Sequence, residues 1–237
     1  MKRFLLYVML LVPGLSFGQF SDKMLYRAYL EQDMFVWNQY LTYYKWEALP
    51  SLYEHERYLN YEYGYLATAV EDKTPDVKER VEAYARHIDQ MEDFMDDALV
   101  LTYRSAYYAY RAKLYPKEFI SSGMKAWKIA QEAVKADSLN PLALTLMGCV
   151  DFYAPVLFGG SKKRALETFT KAEAIMMQQG DTVDRWNFPA LELQRAMCLD
   201  KTGNTKEAIA LCRRMLSRDT GFVFVRDEYL PQLLDKH

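Results

Sequence analysis

The amino-acid sequence predicts an all-α protein. Its 237 residues contain 29 leucines against 18 valines and isoleucines together, a bias toward unbranched side chains that favour helices. Glycine and proline number 10 and 8, which is too few for a turn-rich β-sandwich. No window of four to eight residues alternates between apolar and polar side chains as a half-buried strand does. With 51% hydrophobic residues, the chain can build a substantial core.

The first eighteen residues have the pattern of an export signal. Two basic residues are followed by an unbroken apolar run over residues 4–12, and small side chains then stand at Ser16 and Gly18. These are the minus-three and minus-one positions of a signal-peptidase site, so we expect cleavage after Gly18 and a periplasmic or secreted location. The alternative is a buried N-terminal core helix. The mature chain, residues 19–237, is predicted to be one domain without a membrane span, since a span needs roughly 20 apolar residues.

The helical pattern divides the mature chain at its turn signals. A long aromatic stretch ends at Pro50, Ser51 is placed to cap the next helix, and Thr74 with Pro75 resembles a cap and first helical position. A fourth helix stops before Pro116. The predicted helices cover residues 22–49, 51–70, 74–95, a stretch up to 115, 118–136, 141–157, 162–179, 188–201, 205–217 and a short one within 222–237.

The later helices carry a repeat pattern. Residues 133–141 have the form in which one repeat closes and the next opens, and Ala165, Phe169 and Ala172 stand at offsets 0, 4 and 7. Ala208 and Cys212 take the first two of these positions again, 43 residues on. The chain thus resembles a divergent tetratricopeptide-repeat (TPR) protein, most clearly over residues 118–218. The resemblance implies a superhelical stack of antiparallel helix hairpins, with longer repeats than the usual period of about 34 residues.

A Phe-Gly-Gly loop distinguishes this sequence among such repeats. Phe158, Gly159 and Gly160 stand where a short turn usually joins the paired helices, as in a variant found in exported bacterial TPR proteins. The segment is also similar to the TPR subunit associated with periplasmic TRAP transport. Lys162 and Lys163, with the arginine after them, open the next helix, where the helix dipole disfavours cations. They indicate either an anionic partner or an ordinary solvated loop.

Catalytic and metal-binding motifs are missing from the sequence. His55 starts a zincin-like pattern, but the second ligand position is Leu59, and no phosphate loop or nucleophile elbow occurs. His87 is the only plausible catalytic centre. A net charge of -2 disfavours a nucleic-acid binder. We therefore predict no enzyme, no cofactor and no metal. Cys198 and Cys212 flank a turn out of register, which favours free buried thiols over a bridge.

Aromatic residues form the strongest anomaly. Tyrosine alone numbers 19, mostly in the first half of the chain, and the face of one helix carries three of them. Tyrosine combines apolar area with a hydroxyl, which suits a binding groove, although bulky rings also space the helices of a core. The candidate binding residues are Tyr103, Tyr107, Tyr110 and Arg111, together with Phe158, Gly159 and Gly160 of the loop.

Charge is uneven along the chain. Residues 71–97 hold ten acidic and four basic residues, whereas residues 102–128 hold six basic and one acidic. This contrast either supports packing between neighbouring helices or steers a charged partner.

The leading hypothesis is a non-catalytic envelope scaffold or adaptor that binds a protein or peptide. The alternative is a periplasmic solute-handling accessory that holds a small amphipathic ligand, and a hydrolase around His87 is the third.

Overall fold

The computed structural model describes residues 20–236, so the predicted signal peptide lies outside the described residues. Within them the chain is helical and has no strand, which confirms the all-α class for this part of the protein. Short 3₁₀ turns lie between some helices, and a π-helix spans Phe224–Tyr229. The α-helices are α1 (Asp22–Leu30), α2 (Met34–Tyr43), α3 (Leu52–Asp72), α4 (Val77–Met91), α5 (Asp97–Leu114), α6 (Phe119–Ala136), α7 (Pro141–Tyr153), α8 (Lys162–Gln179), α9 (Asn187–Lys201), α10 (Thr205–Arg218) and α11 (Leu230–Asp235).

The prediction of a single long helix over residues 22–49 was wrong. The chain leaves the helix after Leu30, and Gln32 adopts a left-handed backbone conformation with φ of 58°. This reversal folds α2 back on α1, where the Trp37 indole donates a hydrogen bond to the Leu25 carbonyl at 2.7 Å. The apolar pattern alone does not show the break, because both short helices bury aromatic side chains.

Most other helix boundaries follow their sequence signals. The hydroxyls of Ser51 and Ser161 and the amide of Asn140 accept hydrogen bonds from backbone N–H groups at the starts of α3, α8 and α7. Two helices differ clearly from the prediction. Helix α4 begins at Val77, two residues after the proline, and ends at Met91. Helix α7 ends at Tyr153, because Ala154 precedes a proline and is extended.

Consecutive helices form the main contacts of the fold. Pairs α5–α6, α7–α8 and α9–α10 pack closely, and α3, α5, α7 and α9 also contact one another in turn. The two ends of the described chain meet as well. The Tyr26 hydroxyl donates to Asp219 at 2.7 Å, and the rings of Tyr29 and Phe222 lie 5.8 Å apart. In an open solenoid each repeat contacts only its neighbours, so these contacts close the fold on itself.

The core is aromatic at one end and alanine-rich at the other. Trp37, Tyr40 and Tyr84 are fully buried in the N-terminal part. In the later helices Ala165, Phe169 and Ala172, the residues at the repeat offsets, are all fully buried. Small alanines let paired helices approach, and the phenylalanine fills the space between them.

The three cysteines are free thiols, as the sequence favoured. Burial raises the pKa of Cys198 to about 11 and that of Cys212 to about 12, so both thiols stay protonated at neutral pH. None of the helices that the structure describes is long and apolar enough to cross a membrane.

Candidate functional site

A groove of about 480 Å³ lies between the two halves of the fold. Its walls come from α3 and α5 on one side, and from the start of α7, the end of α8 and the segment before α9 on the other. The volume falls within the usual range for small-molecule sites, roughly 300–1,000 Å³. The lining residues are Asp22, Tyr53, Glu56, Arg57, Asn60, Tyr61, Leu99, Tyr103, Asp137, Leu139, Asn140, Pro141, Leu142, Thr145, Met176, Gln179, Asp181, Arg185, Trp186 and Asn187.

Aromatic side chains on this groove hold polar atoms without partners. Tyr103 is 4% exposed, and its hydroxyl forms no hydrogen bond within the described part of the chain. Burial, reinforced by the nearby carboxylate of Glu56, raises the pKa of Tyr103, so its phenol stays neutral. The buried indole N–H of Trp186 also has no partner among the described residues. Buried polar groups normally find partners. The Trp186 N–H is covered by protein atoms, so of the two residues Tyr103 is the one that offers its polar group to a ligand.

The charges around the groove are partly paired. Arg57 binds Asp22 at 2.7 Å, and Arg185 binds Asp181 at 2.8 Å. The half-buried carboxylate of Glu56 has no cation partner within residues 20–236. Asp137 likewise forms no ion pair there; it accepts only the backbone N–H of Leu139. The groove thus keeps a surplus of two negative charges.

The walls of the groove are fixed by contacts that do not involve the carboxylate of Glu56 or the hydroxyl of Tyr103. The Arg57 guanidinium donates to the Phe20 carbonyl at 2.7 Å and lies over the rings of Tyr40 and Tyr61. It therefore fixes the start of α1 against α3. Across the groove, Asn60 of α3 and Asn187 of α9 exchange amide hydrogen bonds at 3.0 and 3.1 Å. The walls are thus formed before a ligand arrives, which lowers the entropic cost of binding.

The structure places the predicted tyrosine face in three different settings. Tyr103 lines the groove, whereas Tyr110 is buried and donates its hydroxyl to the Tyr63 carbonyl at 2.7 Å. Tyr107 and Arg111 lie away from the groove lining and bind the carboxylate of Glu82. Arg111 also forms a bidentate contact with Glu118. This face therefore provides one groove residue, one core residue and an ion-pair network.

The Phe-Gly-Gly loop also lies outside the groove lining. Gly159 has φ of 91°, and the ring of Trp127 lies beside it. Gly160 sits so close to the Ala154 carbonyl that no side chain fits there. Arg164 binds the buried carboxylate of Asp151 at 2.6 Å, an internal partner that explains one of the three basic residues opening α8.

His87 forms a buried pair with an acid, although it does not line the groove. Its Nδ1 lies 2.8 Å from Glu62, and its ring stacks on Trp46 at 4.1 Å. Burial raises the pKa of Glu62, and the contact with His87 partly offsets this rise. Within the described residues there is no group of three or more His, Cys, Asp or Glu side chains that could hold a metal ion.

Sequence reasoning missed most residues of the groove. Glu56, Asp137, Met176, Arg185 and Trp186 come from separate turns and helix ends, and no local motif unites them. One signal was present for the turn at Asn140 and Pro141, which the repeat pattern marks. The pairing of that turn with α3 depends on the closure of the chain ends.

The comparisons with known proteins identify a shared fold. No family model and no curated protein matches the chain. Among solved structures, it is similar to the HusA haemophore from Porphyromonas gingivalis, with a TM-score of 0.53 and 17% sequence identity. The match covers 77% of this chain and 87% of that one. At this identity the likeness concerns the fold alone.

Proposed function

We propose that this protein is a non-catalytic binding protein, exported to the periplasm or secreted, that holds a small amphipathic ligand in the groove. The ligand has a flat apolar body and a cationic head. The observation that supports this proposal is the carboxylate of Glu56, which has no cation partner within the described residues, beside the hydroxyl of Tyr103, which has no hydrogen-bond partner there. A ligand cation would compensate the carboxylate, and the rings of Tyr61, Tyr103 and Trp186 would cover its apolar body.

The haemophore likeness supports a carrier function but not haem itself. Haem needs an axial ligand, commonly His, Cys, Met or Tyr, and its carboxylates need cations. Of these donors the groove offers tyrosines and Met176, and it has no histidine or cysteine among its described lining residues. Arg57 and Arg185 are already paired, and Glu56 would repel a carboxylate. The groove thus offers donors for the iron but, within the described residues, no unpaired cation for the carboxylates, so its charges do not fit haem.

The proposal also concerns the arrangement of the later helices. We propose that residues 118–218 form TPR-like hairpins inserted into a closed fold. The close pairs α7–α8 and α9–α10, with buried Ala165 and Phe169 at the repeat offsets, support it. The export pattern of the first eighteen residues supports an envelope location.

A protein or peptide partner is the second candidate. The groove is open along one side, and exposed Tyr53 and Leu139 stand on its rim, so an extended peptide with a basic side chain has a path into it. Such a peptide would meet the same carboxylate of Glu56. The two candidates differ in ligand size rather than in the chemistry of the site.

Isothermal titration with a pair of matched probes tests the proposal. Naphthylmethylammonium and naphthalenesulfonate share one ring system and differ in the sign of their charge. We expect the cation to bind more tightly, and Glu56→Gln to weaken it by about five- to tenfold, as for a partly desolvated charge pair. Glu167→Gln, outside the groove, is the matched control. Equal affinity for both probes, or unchanged binding by Glu56→Gln, would contradict the proposal.

A further inference from the structure

The turn between α7 and α8 presents an apolar tip, formed by Val156, Leu157 and Phe158. Val156 and Leu157 are 82% and 87% exposed, the highest values for large apolar side chains in the described part of the chain. The side chain of Phe158, the next residue in the sequence, is 40% exposed. Isolated exposed apolar residues are normal on a protein surface, but three in succession indicate contact with an apolar partner.

Backbone hydrogen bonds fix the turn that carries this tip. The Pro155 carbonyl accepts the N–H groups of Phe158 and Gly160, and the N–H of Gly159 reaches the Val156 carbonyl at 3.0 Å. Ser161 donates its N–H to the Asp151 carbonyl. These bonds fix the turn that follows the tip, whereas the N–H groups of Val156 and Leu157 form no backbone hydrogen bond within the described residues.

Helix α6 extends the apolar surface beyond the tip. Ile120, Met124 and Trp127 follow one another at helical spacing on one face, and Ile120 and Met124 are 55% and 59% exposed. Trp127 is half-buried and joins this face to the tip, because a side chain at Gly159 would lie 3.5 Å from its ring.

Basic residues flank this surface along the sequence. Residues 113–128 and 156–171 together hold eight Lys and Arg but only two Glu, in a chain whose net charge is -2. Of these cations, Lys113, Lys128 and Arg164 are paired with acidic side chains, and Glu118 is bound by Arg111. The other five cations form no ion pair within the described residues, so the flank keeps a positive surplus. An apolar tip with a strong local positive charge is complementary to an anionic interface.

We propose that the apolar tip and its basic flank dock on an anionic lipid surface. A second copy of the chain would bring the same positive charge and be repelled. The combination of a shallow apolar insertion and several cations is what reversible membrane binding requires. This proposal is independent of the ligand groove.

Sedimentation with vesicles tests the proposal. The protein, purified in its processed form, is mixed with vesicles of phosphatidylcholine containing one quarter phosphatidylglycerol, and with pure phosphatidylcholine vesicles. We expect partition into the anionic vesicles only, decreasing as salt is added. Leu157→Glu lowers the partition coefficient at least tenfold, and Lys162→Gln with Lys163→Gln lowers it severalfold.

The controls separate docking from folding. Met177→Glu places the same charge at another exposed apolar position, 62% exposed on α8, and leaves partition unchanged. Helix content by circular dichroism stays the same in all variants, because the substituted side chains are exposed. Three results overturn the proposal: no partition into anionic vesicles, partition unaffected by Leu157→Glu, or self-association that this variant abolishes in the absence of lipid.

Discussion

The two halves of the described chain fill their cores with different side chains. The N-terminal half comprises residues 20–115 and the C-terminal half residues 116–236. The first fills its core with tyrosine and tryptophan rings, for example Trp37, Tyr40 and Tyr84. The second uses alanines with single large residues between them, such as Phe169. Aromatic cores bring hydroxyl and indole groups into the interior, and the alanine-rich half has few of them. Besides the carboxylates of Glu56 and Asp137, the buried polar groups of the groove without partners among the described residues belong to the aromatic residues Tyr103 and Trp186.

Trp186 belongs to the C-terminal half but packs against rings of the N-terminal half. We therefore expect its removal to lower the stability more than the other substitutions. It stands before α9, yet its ring lies 5.1 Å from Trp37 and 5.8 Å from Tyr63. We expect Trp186→Ala to lower the free energy of unfolding by about 3–5 kcal/mol, because a large buried ring leaves a cavity. Denaturant unfolding followed by circular dichroism measures this. Trp127→Ala, a half-buried ring on α6, should cost clearly less, and an equal loss would contradict the linking role.

A substitution at Gly148 tests the packing of the alanine-rich half. A Cβ atom at this position would lie 2.5–2.9 Å from the ring of Phe169. We expect Gly148→Ala to destabilise the protein by about 1–3 kcal/mol through overpacking. Gly123→Ala is the matched control on α6, where nothing lies within 4 Å of the added atom. It should stabilise the helix by up to about 1 kcal/mol. Thermal melting of both variants should therefore shift in opposite directions, and two shifts of the same sign would refute this packing.

The contact between the chain ends gives a smaller effect. Tyr26→Phe removes the hydroxyl that donates to Asp219 and keeps the ring. A loss of about 1 kcal/mol is expected, since one hydrogen bond to a charged group is broken at a partly buried site. Chemical denaturation would measure it. Tyr53→Phe, an exposed ring on the groove rim, is the control and should change the stability by less than about 0.5 kcal/mol.

Thiol labelling follows the C-terminal half alone, because Cys149, Cys198 and Cys212 all lie there. At pH 8.5 an exposed thiol is about half ionised, whereas burial holds the pKa of Cys149 and Cys212 at about 12. Because the thiolate is the reactive form, we expect slow labelling in the native protein and three fast thiols after unfolding. The labelling midpoint in denaturant should coincide with that of aromatic fluorescence, since the halves interlock. Separate midpoints would show that they unfold independently.

The sequence predicted helices better than it predicted their long-range contacts. Caps at Ser51 and Ser161 and the stop at Pro116 are local signals, and the structure follows them. The break at Gln32 has no such signal, because the neighbouring helices are both apolar and a non-glycine residue takes the left-handed conformation. Of the seven predicted binding residues, Tyr103 lines the groove. The rest of that site depends on chain closure, which periodicity does not encode.

We propose that the groove holds a small cation-bearing ligand through Glu56. Native mass spectrometry of the protein purified from its own envelope identifies such a ligand, with Glu56→Gln prepared in parallel. We expect the wild-type chain to carry a small, positively charged molecule and the variant to carry none. A bound protein subunit, or the same small molecule retained by Glu56→Gln, would contradict this proposal.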